Sequence, residues 1–207
     1  MRLHAYMELS FFINYTMSRL IIGNRFKKGT LFLLSIILLL VVIGVLLPSS
    51  FHVERSIEIK RSSKAIFPYL NNLQKWGSWT SLNVNKDYSL EQQFSGSNQG
   101  IGSELSYHGD KLGKGKIKIV DNELDDHVAF SLLINNRFNT DGNIKIESKS
   151  ETDSKVTITL DGDVGFHLPD RYIILMMNNI AGSLFEESLN RLKTVVESKK
   201  SLPAEGL

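Results

Sequence analysis

Three groups of side chains in this sequence could do chemistry. The first is the pair of tryptophans, Trp76 and Trp79, held in Gln74-Lys-Trp-Gly-Ser-Trp79. An indole offers a broad apolar face and one N–H donor, so it can stack on a ligand or fill a core. One could line a cavity mouth and stack on a ligand, or both could clamp a short helix onto a sheet; a structural role is expected for at least one of them. The second group is His108, Arg137 and His167. A histidine facing a cavity could serve as general base. An arginine in a hairpin, here Asn135-Asn-Arg-Phe-Asn139, could hold an anionic head group. Phe138, beside that arginine, belongs to the same candidate site. The third is the apolar stretch Tyr172-Ile-Ile-Leu-Met-Met177, with Leu175, Met176 and, one turn on, Ile180. A helix facing one core needs only one apolar stripe. The excess could line a cavity or form a gate near lipid, and methionine suits adaptable binding surfaces. Burial of that helix on two sides is the alternative.

Other chemistry is excluded or finds no support. There is no cysteine, which removes disulfides, thiolate metal sites, a thiol nucleophile and a lipid-modified cysteine. His4, His52, His108, His127 and His167 show no metal-ligand spacing with one another or with a carboxylate, and no cofactor motif is present. Gly109-Asp-Lys-Leu-Gly-Lys-Gly-Lys116 suggests a phosphate loop, but no Ser or Thr follows Gly113-Lys114. No Gly-x-Ser-x-Gly elbow occurs. Lys116 and Lys118 alternate with Ile117 and Ile119, the outer face of a strand and not a nucleic-acid stripe. Asp125-Asp126 reads as a turn.

These candidates must be positioned by the elements around them. Residues 52–60 alternate as a strand. Ser62-Ser63 opens a short helix along Ile66, Phe67, Leu70 and Leu73, with Pro68 shortening or kinking it. Strands are then expected at 88–94, 102–108, 114–121, 126–134, 142–150 and 154–162, with turns at the intervening Gly and Asp clusters. Short links between them argue for an antiparallel meander. Pro169 suits a first helical turn. An unbroken helix is expected from 170 to about 198, with Leu175, Gly182, Phe185, Leu189, Leu192 and Val196 as its stripe. The fold class is α+β: a twisted antiparallel sheet of about seven strands wrapped on one long C-terminal helix. That arrangement often leaves a cavity between sheet and helix.

Ahead of this domain, Thr30 to Leu47 carries no charge. As a helix it spans about 27 Å, close to the thickness of a hydrocarbon core. A cleaved signal has a shorter apolar core and a small-x-small site. This run ends Val45-Leu-Leu-Pro, which favours an uncleaved single-pass anchor. Arg25, Lys27 and Lys28 precede it, favouring an inside N terminus and a translocated, periplasmic or extracellular, C-terminal domain. Residues 1–29 form the basic flank, and Met17 offers a tidier start than Met1. The expected organisation is then flank 1–29, transmembrane helix 30–47, folded domain 50–198 and flexible tail 199–207.

The element order, with Val53-Glu-Arg-Ser-Ile-Glu-Ile, Trp76-x-x-Trp79, Gly96-x-x-x-Gly100-x-Gly102, Gly113-x-Gly115-x-Ile117 and Phe185-Glu-x-x-Leu-x-x-Leu-Lys193, resembles the START-like superfamily. This is the helix-grip or SRPBCC group, often labelled polyketide cyclase/dehydrase and lipid transport. The resemblance covers roughly 50–197 and implies an apolar cavity for lipids, hormones, polyketides or similar molecules. Some members are enzymes and many are binders, and no catalytic motif carries over to positions here. The leading expectation is a membrane-tethered domain that binds an apolar or amphipathic small molecule or lipid. An acid/base enzyme of the same fold and a structural or partner-binding module with a filled core are the alternatives.

Overall fold

The computed structural model describes residues 27–198. The expected start at Met17 and the tail at 199–207 lie outside the described residues. Two compact units divide at Leu47/Pro48. The first contains helix α1 (Lys27–Leu46), long and apolar enough to cross a membrane and with little of its surface buried.

The second unit is a seven-stranded sheet with helices on one face. Strand β1 (Ser50–Ile59) is followed by α2 (Ser63–Leu70) and α3 (Leu73–Trp79). The chain then runs through β2 (Glu91–Gly96), β3 (Ser103–Gly109), β4 (Gly113–Glu123), β5 (His127–Ile134), β6 (Phe138–Ser148) and β7 (Ser154–Asp163). Helices α4 (Leu168–Ile174) and α5 (Met177–Ser198) close the domain. The order across the sheet is β1-β7-β6-β5-β4-β3-β2, and every neighbouring pair is antiparallel. The meander β2 to β7 is therefore uninterrupted, and β1 returns to pair with its last strand.

Three expected elements are corrected. The helical region after β1 is two helices. Pro68 sits inside α2 and cannot donate. Asn72 starts a new helix by accepting a bond from the Gln74 N–H at 2.9 Å. Strand β6 begins at Phe138, ahead of the expected 142. The β5–β6 turn lies at Asn135-Asn136, within the hairpin expected at 135–139, and Asp141-Gly142 falls inside β6. Both asparagines lie in the left-handed region, with φ 52° and φ 54°. They are the two central residues of a tight turn closed by the Arg137 N–H donating to the Ile134 carbonyl at 3.0 Å, a turn that needs this conformation at both. The C-terminal helix is broken at Leu175-Met176. Asp170 on α4 is tied to Arg137 of the β5–β6 hairpin, and α5 is tied to Arg55 of β1, so the chain bends between its two attachments.

The covered face of the sheet carries the core. Leu105, Ile119, Val128, Ile144, Ile146, Val156 and Ile158 meet Ile66, Leu70, Leu73, Trp76, Trp79, Leu189, Leu192 and Val196, all buried. Each such side chain contributes roughly 1.5–3 kcal/mol on burial.

Candidate functional site

Alternation along each strand divides the sheet into an outer face and a face covered by helices. That covered face is itself divided. Toward the β4–β5 and β6–β7 turns it is sealed. Trp79 and Trp76 are 1% and 3% exposed, 5.4 Å apart between ring centres, and Trp76 packs edge-on against Phe130 at 5.2 Å. Their N–H groups donate to backbone carbonyls, Trp76 to Leu70 at 2.9 Å and Trp79 to Tyr69 at 3.2 Å. Both indoles are thus core, and their donors are spent.

Toward the β5–β6 hairpin the same face opens. Leu132, Ile134 and Phe138 continue the inward-facing register of Val128 and Phe130, yet they are only half-buried. On the helical side, Met176, Ile180 and Leu184 are 58%, 49% and 42% exposed. They follow one another at the spacing that puts them on one helical face. They lie on the flank of α5 away from Gly182, whose missing side chain makes room for the Arg55 guanidinium on β1. Arg55 in turn donates to Glu186 at 2.6 Å and to the Asn178 side chain at 3.1 Å, which holds α5 against the edge strand. Small inward residues keep this end of the sheet shallow. The Tyr107 ring occupies the space a side chain at Gly115 would need, and Phe51 does the same at Gly162. Tyr107 is buried, and burial raises its phenol above the ordinary value, so the hydroxyl stays protonated. It has no hydrogen-bond partner among the described residues.

A polar cluster stands at the rim. Asp170, with its side chain 5% exposed, accepts a bond from the Arg137 guanidinium, and His167 Nδ1 lies 2.9 Å from the same carboxylate. Arg137 also reaches His167 Nδ1 at 2.7 Å and lies 4.9 Å over the Phe138 ring. Hairpin and helix start are joined through one buried carboxylate, whose charge is compensated by the arginine.

The structure therefore brings Arg137, Phe138 and His167 together, and leaves Met176 and Ile180 exposed at the helix break and on the first turn of α5. Leu175 is exposed at the helix break and not part of a buried stripe, which corrects the expected periodicity. Trp76 and Trp79 sit in the sealed half, so neither lines a cavity mouth. His108 is exposed on the outer face of β3, opposite Glu91 and Lys114. Sequence reasoning missed Tyr107, Leu132, Ile134 and Asp170. The alternation of β3 and β5 marks the first three as inward-facing, but only the helix break shows that their end is open. A pocket of about 140 Å³ beside β2, at Leu73, Phe94 and Ser103, contains none of these residues. Nor does a shallow one between α3 and α5 at Ser78, Glu187 and Arg191.

At the opposite end, the β4–β5 hairpin gathers Glu123, Asp126 and His127, one ligand atom from each within 4.8 Å of the others. The turn geometry makes this juxtaposition, which linear spacing does not suggest. Asp126, bonded to His127 Nδ1 at 2.9 Å, raises the histidine's pKa, with Asp121 adding to the effect.

The fold recurs in solved structures. A START superfamily protein from Mycobacterium smegmatis aligns with TM-score 0.54 at 16% identity, over 72% of this chain and 99% of that one. A Streptomyces aromatase/cyclase aligns with TM-score 0.54 at 13% identity, over 76% and 99%. A norcoclaurine synthase from Thalictrum flavum, solved with a transition-state analogue, aligns with TM-score 0.55 at 12% identity, over 73% and 97%. At such identities the likeness shows the fold alone: residues 48–198 form the helix-grip fold of START-like proteins. No protein-family model and no curated protein matches the sequence.

Proposed function

We propose that this is a membrane-anchored domain that binds an apolar or amphipathic small molecule or lipid on the open half of its covered sheet face. The observation that carries this reading is the run of inward-facing Leu132, Ile134 and Phe138, only half-buried, together with the exposed Met176, Ile180 and Leu184 at the start of the C-terminal helix. Apolar side chains with incomplete burial leave free energy that a greasy ligand would recover from water. The Tyr107 hydroxyl would donate to a ligand oxygen, and the Arg137–His167–Asp170 rim would orient a polar head. In this reading α1 spans the bilayer, the domain lies on the translocated side, and tethering holds the site beside a reservoir of such ligands. The anchor reading is supported by the length and uncharged character of 30–47 and by the preceding Lys27 and Lys28. The likeness to a START superfamily protein and to an aromatase/cyclase agrees with a site between sheet and helix.

The test is native mass spectrometry of the full chain released gently from detergent, with lipid extraction of the same preparation. A stoichiometric co-purifying apolar molecule is expected. A bare mass, under conditions that preserve the ligand of a control lipid binder, would count against the reading. An acid/base enzyme of the same fold is favoured by one observation, the contact of His167 with the Asp170 carboxylate. Turnover of the extracted ligand that is lost in His167→Gln would support it.

A further inference from the structure

The strands define two ends of the domain, and one of them carries an apolar surface that the fold does not use. Ser50 opens β1 opposite Asp163 at the close of β7, and the Val164 N–H donates to the Ser49 carbonyl at 2.9 Å. Phe166 follows two residues later and is 94% exposed. Ile173, Leu175 and Met176, at the end of α4 and the helix break, are also more than half exposed. Helix α4 is held at this same end, because His167 and Asp170 contact Arg137 in the β5–β6 hairpin. Arg171 lies 5.6 Å over the Phe166 ring. Such a pair of an aromatic ring and a basic side chain suits a membrane interface. The far end has no comparable cluster among the described residues. Leu124 is exposed there in the β4–β5 turn among Glu123, Asp125 and Asp126, and Ile101 in the β2–β3 turn, each on a different hairpin.

Chain length says what covers this surface. Only Leu47, Pro48 and Ser49 separate the end of α1 from β1. Fully extended, three residues reach about 10 Å. The polar interface of a bilayer is itself roughly 5–8 Å thick on each side. If α1 spans a bilayer, the start of β1 and the Val164–Phe166 segment bonded to it cannot leave the membrane surface.

We infer that Phe166, Ile173, Leu175 and Met176 form a docking surface that inserts into the same bilayer that holds α1. The inference rests on the anchor reading above. It gives α1 a second role, since tethering keeps the surface in contact and the surface turns the open half of the sheet toward lipid. Shallow insertion of a few apolar side chains is weak alone, and becomes persistent when a second anchor supplies the local concentration.

The absence of cysteine makes the test direct. Single variants Leu38→Cys in α1, Phe166→Cys and Leu124→Cys are labelled with an environment-sensitive fluorophore in the full chain, in phosphatidylcholine nanodiscs. Labels at 38 and 166 should emit to the blue and resist quenching by aqueous iodide, and the label at 124 should do neither. Adding Leu175→Ser and Met176→Ser to the Phe166→Cys chain should return its emission to that of position 124. A label at 166 that behaves like the one at 124, while 38 is lipid-buried, overturns the docking surface and leaves the anchor standing. A label at 38 that is itself water-exposed overturns the anchor and the docking surface together. An unchanged blue shift in the serine variants would overturn the assignment of Leu175 and Met176 to the surface.

Discussion

The two halves of the covered sheet face use the same kinds of residue and reach different ends. In the sealed half, side chains from β3 to β7 meet three helices, and two indoles fill the space between them. In the open half, leucine, isoleucine and phenylalanine continue the same inward register, but the opposing helix is broken at Leu175-Met176 and turns an apolar flank to solvent. Strand patterning decides only which side chains point toward the helices. Whether those side chains become core or site depends on where the helices are attached, and here the attachments are Asp170 to the hairpin and Arg55 to α5.

The largest effects should come from the sealed half. Trp79→Ala removes a fully buried indole. It should cost about 3–5 kcal/mol in chemical denaturation. Ile180→Ala, across the divide, should cost about 1 kcal/mol or less and instead weaken ligand retention. If Ile180→Ala destabilised as much as Trp79→Ala, the open half would be ordinary core. Next in size is Gly142→Ala. Its new methyl would collide with the Phe130 ring, which packs on Trp76. Overpacking of this kind costs about 1–3 kcal/mol, and a melting temperature equal to wild type would show that the sealed half is looser than described.

A smaller effect concerns the rim of the open half. Buried Asp87 ties the loop after α3 to the β3–β4 turn. It accepts from the Ser89 hydroxyl at 2.7 Å and from the backbone N–H groups of Lys111 at 2.7 Å, Leu112 at 3.0 Å and Ser89 at 3.1 Å. These bonds, the Ser89 hydroxyl first, hold the carboxyl well below the usual carboxylate range. A depressed folded-state pKa means the stabilisation is complete above the unfolded value, about 3.9, and is lost as pH falls from there toward the folded value. Protection of the Lys111 and Leu112 amides, taken relative to the intrinsic exchange rate at each pH, should therefore fall below about pH 4, where unfolded-chain carboxylates titrate. Asp87→Asn should show faster exchange at neutral pH. Exchange insensitive to both would mean that the loop is held by other contacts.

Much of this fold is legible in the sequence because its period is. Alternation in Ile144-Lys-Ile146 and Val156-Thr-Ile158 places β6 and β7, and the uncharged run at 30–47 marks α1. What is not legible depends on tertiary contact. The hairpin at 135–139 is legible, but the strand after it starts earlier than expected, because Asp141-Gly142 has the composition of a turn while Gly142 is needed inside β6 where the Phe130 ring lies over the sheet. The break at Leu175-Met176 has no breaker residue, because distant ion pairs impose it. Arg137, Phe138 and His167 stand out by residue type alone. The buried carboxylate that joins the arginine to the histidine, Asp170, reads as an ordinary helix-start acid. His108 stands out by the same logic, but strand parity turns it outward.

Photo-crosslinking tests the central claim most directly. The full chain in detergent is incubated with a diazirine-bearing fatty acid, irradiated and mapped by peptide mass spectrometry. The open-half account predicts labels on Leu132 to Thr140 and on Tyr172 to Phe185, competed by unlabelled fatty acid. Labels confined to α1, or found instead on the sealed half from Ile66 to Trp79 and Leu189 to Val196, would contradict it.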